Sequence, residues 1–90
     1  MNKFCEDIKK TGISFEQIGE LTSVYTKTII ACKDRNVEIA DYIAEDEIVA
    51  IAKKMKDGSN ALSEMIRLVN SMEGVSDTDK RDIVIEISTK

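Results

Sequence analysis

The sequence predicts an all-α protein, a compact bundle of about five short helices with a helix-turn-helix among them. Three observations point to the helical class. Apolar residues recur at spacings of three and four along most of the chain. Helix signals punctuate it: Ser14, Asn36, Asn60 and Ser76 can open helices, while Gly12 and Gly74 can close them. Proline is absent, and the turn signals and β-branched alternation that a barrel or sandwich needs are too sparse. Ninety residues, 42% apolar and 33% charged, fit one globular domain over residues 1–90. No internal repeat or low-complexity segment interrupts it.

Residues 2–10 read as a first short helix. Asn2 can cap it, Glu6 and Asp7 come early, and Lys9 and Lys10 come late, as the helix dipole prefers. Phe4, Cys5 and Ile8 form its apolar face, and Gly12 ends it. Ser14 then opens the next helix, with Gln17 three residues on in the position of a capping box. Phe15, Ile18, Leu21 and Thr22 would face inward. Residues 22–26 are poor helix formers, so a break there is cheap. Thr28, Ile29 and Cys32 would supply the inward side of a second helix. The same residues admit another reading. Phe15, Ile18, Thr22, Tyr25, Ile29 and Cys32 also form one stripe of a single long helix.

Asn36 is a further candidate cap, for a short helix over residues 37–44 with Val37, Ala40 and Ile43 inward. Glu45-Asp46-Glu47 interrupts the apolar pattern and predicts a new helix starting near Asp46. Ile48, Ile51, Ala52 and Met55 would be its inward face, and Lys53, Lys54 and Lys56 its end. One helix over residues 36–56, with the acids solvated, is the alternative. Asp57-Gly58-Ser59-Asn60 is the clearest loop. Ser59 or Asn60 caps a helix with Leu62, Met65, Ile66, Val69 and Met72 as apolar positions. Met55, Met65 and Met72 read as core before they read as an adaptable binding face. Ser76-Asp77-Thr78-Asp79 starts a last element. Within it, Ile83-Val84-Ile85-Glu86-Ile87 fits a helix face or a strand, and the caps favour the helix.

Residues 12–29, GISFEQIGELTSVYTKTI, resemble the helix-turn-helix of the Cro and phage-repressor family. Gly12-Ile13-Ser14 matches the start of that family's first motif helix. Ile18-Gly19 matches the apolar and small pair where the two helices touch. Val24 matches the apolar residue of the turn, and Thr28-Ile29 the packed start of the recognition helix. Ile48 to Met55 resembles a later helix of the same fold. Two positions depart: Ser23 stands where the family usually has glycine, and Thr22 where it prefers a large apolar residue. The resemblance implies a motif over residues 14–34. Thr26, Lys27 and Ile30 would face bases, and Gln17 would contact backbone or base edges. Lys33, joined by Lys9 and Lys10, would meet phosphates. Some members of the family pair through their C-terminal segments.

Composition narrows the chemistry. Histidine, the commonest general base, is absent. Neither Cys5 nor Cys32 has a histidine to activate it, and two cysteines alone do not complete a structural zinc site. The acidic pairs lack the spacing of a calcium loop. No enzyme, cofactor or metal is therefore expected. The N-terminus lacks an apolar run of signal-peptide or membrane-span length, which predicts a cytoplasmic protein with reduced thiols.

The net charge is −4. Residues 1–35 carry six basic and five acidic side chains, residues 36–90 seven and twelve, so the acidity lies in the second part. Two functions follow as expectations. One is a small transcriptional regulator binding double-stranded DNA through Gln17, Thr26, Lys27, Ile30 and Lys33. It would be a homodimer joined through Ile83, Val84, Ile85 and Ile87, since two-fold pairing doubles the base contacts on a palindromic site. The other is a non-enzymatic acidic helical protein that inhibits or adapts a basic protein partner.

Overall fold

Helix α2, Phe15–Lys33, is the longest element and runs through the middle of the fold. The computed structural model describes residues 3–89. In order, α1 covers Lys3–Lys10, α2 follows, a 3-10 turn covers Ile39–Asp41, α3 covers Glu45–Lys56, α4 Ala61–Asn70 and α5 Asp77–Ser88. The described residues include no strand, and the all-α bundle of five helices is as the sequence predicts. The proposed cap Asn2 lies outside the described residues.

The break expected within residues 14–34 is absent, and with it the helix-turn-helix at that position. Residues 15–33 form one helix. The cause lies in the buried stripe. Leu21, Val24, Thr28, Ala31 and Cys32 are all buried, and they continue one face across the expected turn at Thr22-Ser23. A turn there would pull half of that stripe off the core. Burying each large apolar side chain contributes about 1.5–3 kcal/mol. The poor propensity of a Thr or Ser costs at most about 0.7 kcal/mol, so packing wins. Ser23 does not adopt the left-handed backbone a turn would ask of it. The one non-glycine residue with positive φ among those described is Asn36, at 58°.

Asn36 therefore closes α2 instead of opening a helix. The amides of Arg35 and Val37 both donate to the Cys32 carbonyl, and that of Asn36 to Lys33. The helix expected over residues 37–44 is reduced to the 3-10 turn, with Ile39 and Ile43 buried and Ala40 exposed. Helix α3 starts at Glu45, one residue from the expected point, and buries Ile48, Ile51, Ala52 and Met55 as expected.

The remaining starts follow their caps. Ser14 accepts from the Gln17 amide while the Gln17 side chain accepts from the Ser14 amide, a complete capping box. Asn60 accepts from the Ser63 amide and Ser76 from the Asp79 amide. The α5 cap decides the ambiguous run: it is helical, with Ile83 and Ile87 buried and Ile85 exposed.

Helices α2, α4 and α5 pack on one another, while α1 rests on α3. Met55, Met65 and Met72 are core residues, buried with Leu21, Ile48, Val69 and Ile83. Thr28, the buried hydroxyl, donates back to the Val24 carbonyl at 2.7 Å, so its polar group is satisfied. Two polar contacts pin the α1–α2 corner to the end of α3. Lys56 Nζ donates to the Gly12 carbonyl at 3.1 Å, and Gln17 Nε2 donates to the Met55 carbonyl at 3.2 Å. Gly12 turns there at φ 83°, where a Cβ would lie 3.3 Å from Lys56 Nζ, so glycine suits both the backbone and the approach.

A continuous α2 makes a specific prediction about Ser23, which is exposed on that helix. Ser23→Gly is expected to destabilise the protein by about 0.5–1 kcal/mol, as for glycine in a helix interior. A urea melt measures this; unchanged or raised stability would mean that the position is a turn.

Candidate interaction surfaces

The residues singled out for DNA divide between two roles. Thr26, Lys27, Ile30 and Lys33 are exposed along one side of α2, with Ile30 at 52% relative exposure. Lys27 Nζ reaches the Thr89 carbonyl at 3.5 Å, at the end of α5. Gln17 is apart from them. Its side chain is engaged both in the cap of α2 and with Met55 of α3, so it acts in joining helices. The basic side chains of α2 share that helix with Glu16 and Glu20, and Asp34 follows at its C-cap.

The residues singled out for dimerisation do not form one surface. Ile83 is 0% and Ile87 2% exposed, both within the monomer core. Val84 is half-buried against that core, and Ile85 alone of the four points outward. The helical turn explains this: 83 and 87 lie on one side, and 85 on the opposite side. The α5 flank toward α2 is also occupied. Arg35 donates to Glu86 Oε1 at 3.1 Å and to the Ala31 carbonyl at 2.8 Å, clamping the end of α2 to α5.

Two surface features were not read from the sequence. Phe15, expected inward, is 92% exposed at the first position of α2. At 100° per residue it lies on the side of α2 away from Leu21, Val24 and Thr28, so it faces solvent although Ile13, two residues earlier, is buried. The second feature is a run of exposed acids. Glu38, Asp41, Glu45, Asp46 and Glu47 are all exposed, and no lysine or arginine occurs from Asn36 to Ala52. The half-exposed Tyr42 sits within this run, its hydroxyl 3.7 Å from where a Cβ on Gly74 would be. The signal was present in the run of acids; the 3-10 turn brings Glu38 and Asp41 to the surface before the first turn of α3.

An apolar groove lies between α1 and α2, with a cavity volume of about 320 Å³, lined by Phe4, Ile8, Ile18, Leu21, Tyr25 and Ile48 among others. Phe4 and Tyr25 meet edge to face, their ring centroids 5.8 Å apart. Burial, and then the nearby Glu45 charge, push the Tyr25 hydroxyl pKa up. Among the described residues, no group of three or more histidine, cysteine or acidic side chains is placed to hold a metal ion. No helix among the described residues is long and apolar enough to cross a membrane. Compared with protein-family models, curated protein sequences and solved structures, the chain shows no significant match.

The two thiols differ in environment. Cys5 is exposed and Cys32 buried. Burial raises the Cys32 pKa, the Arg35 charge opposes this and Glu86 adds to it. A raised folded-state pKa means that the native protein holds the thiol proton more tightly than the unfolded chain, so this contribution to stability is lost as pH rises above the ordinary thiol range. Thiolate is the reactive form. In native protein at neutral pH, a thiol reagent is expected to titrate Cys5 quickly and Cys32 only after denaturant is added. Rapid modification of both would contradict the buried stripe of α2.

Proposed function

We propose that this protein is a non-enzymatic binding module whose acidic surface docks against a basic surface of a partner protein. The observation that carries the reading is the run of exposed acids Glu38, Asp41, Glu45, Asp46 and Glu47, with no lysine or arginine between Asn36 and Ala52, although Lys10 and Lys53 share a surface depression with Asp46, and Lys54 and Arg67 one with Glu47. Like charges so gathered steer a positively charged partner and repel phosphate-bearing ones. Tyr42 within the run supplies the amphipathic aromatic that protein interfaces favour. Three of these acids also occupy the first turn of α3, where the helix dipole stabilises them, so Glu38 and Asp41 are the two not explained by helix capping.

A DNA-binding regulator is the second proposal. It is favoured by the exposure of Thr26, Lys27, Ile30 and Lys33 on one side of α2. It would use a single helix, not a helix-turn-helix over residues 14–34. Two lysines give few phosphate contacts, and Glu16, Glu20 and Asp34 lie on or beside the same helix. Phosphate contacts supply most non-specific DNA affinity, which ranks this proposal second.

Two measurements separate them. Fluorescence anisotropy with duplex DNA is expected to show no binding even at about 50 mM salt, where phosphate contacts are strongest. Binding that weakens in Lys27→Ala and Lys33→Ala would instead favour the DNA reading. Cross-linking in cell extract is expected to trap a basic protein, with capture lost in the Glu38→Lys, Asp41→Lys double variant and at high salt. Capture indifferent to both would remove the acidic surface from the proposal.

A further inference from the structure

The groove between α1 and α2 belongs to neither proposed function. Ile8, Leu21 and Ile48, all buried, line its floor, and the half-buried Ile18 and Tyr25 line it along α2. Cys5, Lys9 and Thr22 are the exposed residues at its rim. Walls this apolar offer water few hydrogen-bond partners, so the space favours an apolar occupant. Its ends differ in charge. Lys9 is the one charged side chain among the described residues that line it. Five residues earlier on α1, Phe4 meets Tyr25, and there the Glu45 charge acts on the Tyr25 hydroxyl. Glu45 itself does not line the groove.

We propose that this groove binds the alkyl chain of a medium-chain carboxylate, with the carboxylate at Lys9 and the chain running toward Tyr25. Volume sets the chain length. At about 320 Å³ the groove is roughly twice the size of an apolar cavity that holds benzene, which gives room for about eight to ten carbons. Ile18 and Tyr25 stand about 10 Å apart along α2 at 1.5 Å per residue, which suits a chain of that length. Charge sets the head group. A carboxylate at the Lys9 end meets an ammonium and keeps its distance from Glu45. A cationic head is repelled by Lys9 at one end, and at the other it finds Glu45 outside the groove. Shape favours a thin molecule over a protein. The exposed large apolar side chains, Phe15, Ile30, Tyr42 and Ile85, do not line the groove, so its apolar surface is confined to the recess between the helices.

The test uses the full chain and octanoate, with the reaction of Cys5 toward a thiol reagent as the readout, because a chain in the groove covers Cys5. Octanoate at about 10 mM is expected to slow that reaction at least about fivefold. Affinity is expected to rise by up to about fourfold per methylene from butanoate to octanoate, and to level off beyond about ten carbons. At low salt octanoate is expected to bind at least about threefold tighter than octylamine, and Lys9→Glu to remove that preference. Thr22→Trp, at an exposed position of the rim, is expected to fill the groove and abolish the effect of octanoate on Cys5. The ligand series on the parent protein carries no risk of misfolding and decides the matter alone. Unchanged Cys5 reactivity in about 10 mM octanoate, an affinity indifferent to chain length, or octylamine bound as tightly as octanoate would overturn the proposal.

Discussion

The buried stripe of α2 is the constraint on which the rest of this structure depends. Leu21, Val24, Thr28, Ala31 and Cys32 hold one face of a long helix against the α4–α5 pair. Once that face is fixed, the opposite one must be solvent-facing, so Phe15, Thr26 and Ile30 become surface. The end of the helix is fixed as well. Arg35 ties it to Glu86, and Asn36 turns the chain toward the acidic segment. The start is fixed by the Ser14–Gln17 box and by the bond of Gln17 to Met55.

Electrostatics act at the margins of this scaffold and do not hold it together. Arg35–Glu86 is the better placed ion pair, with both side chains partly shielded. Lys54–Glu64 at 3.2 Å joins α3 to α4 and satisfies a carboxylate that is nearly buried, while Arg67 stands 4.0 Å from the same group. The remaining acids are spread over the surface, and their concentration between Glu38 and Glu47 shapes what the protein can approach.

Much of the fold was legible in the sequence because capping is local chemistry. Ser14, Asn60 and Ser76 announce their helices through side chains that reach only three residues ahead. The inward faces of α3 and α4 were legible for a related reason, since their apolar residues are bracketed by clear loops. What was not legible depended on tertiary packing. Thr22-Ser23 is weak helix sequence, and only the continuity of burial on both sides carries the helix across it. Phe15 looks like a core residue until the buried side of α2 is known to be the opposite one. Ile83 and Ile87 looked available for pairing because their partners within the monomer lie far away in sequence. Resemblance to a helix-turn-helix rested on residue types that a single helix accommodates equally well. The acidic surface was visible as composition, but its extent needed the 3-10 turn.

The central claim is that residues 15–33 form one unbroken helix. Backbone carbon chemical shifts and sequential amide-to-amide NOEs across residues 20–27 test it most directly. The account predicts uniform helical shifts and a continuous series of strong amide contacts from Glu20 through Lys27. Loss of helical shifts at Thr22 to Tyr25, with a gap in the amide series and renewed helix after it, would contradict the account and restore a turn to the middle of α2.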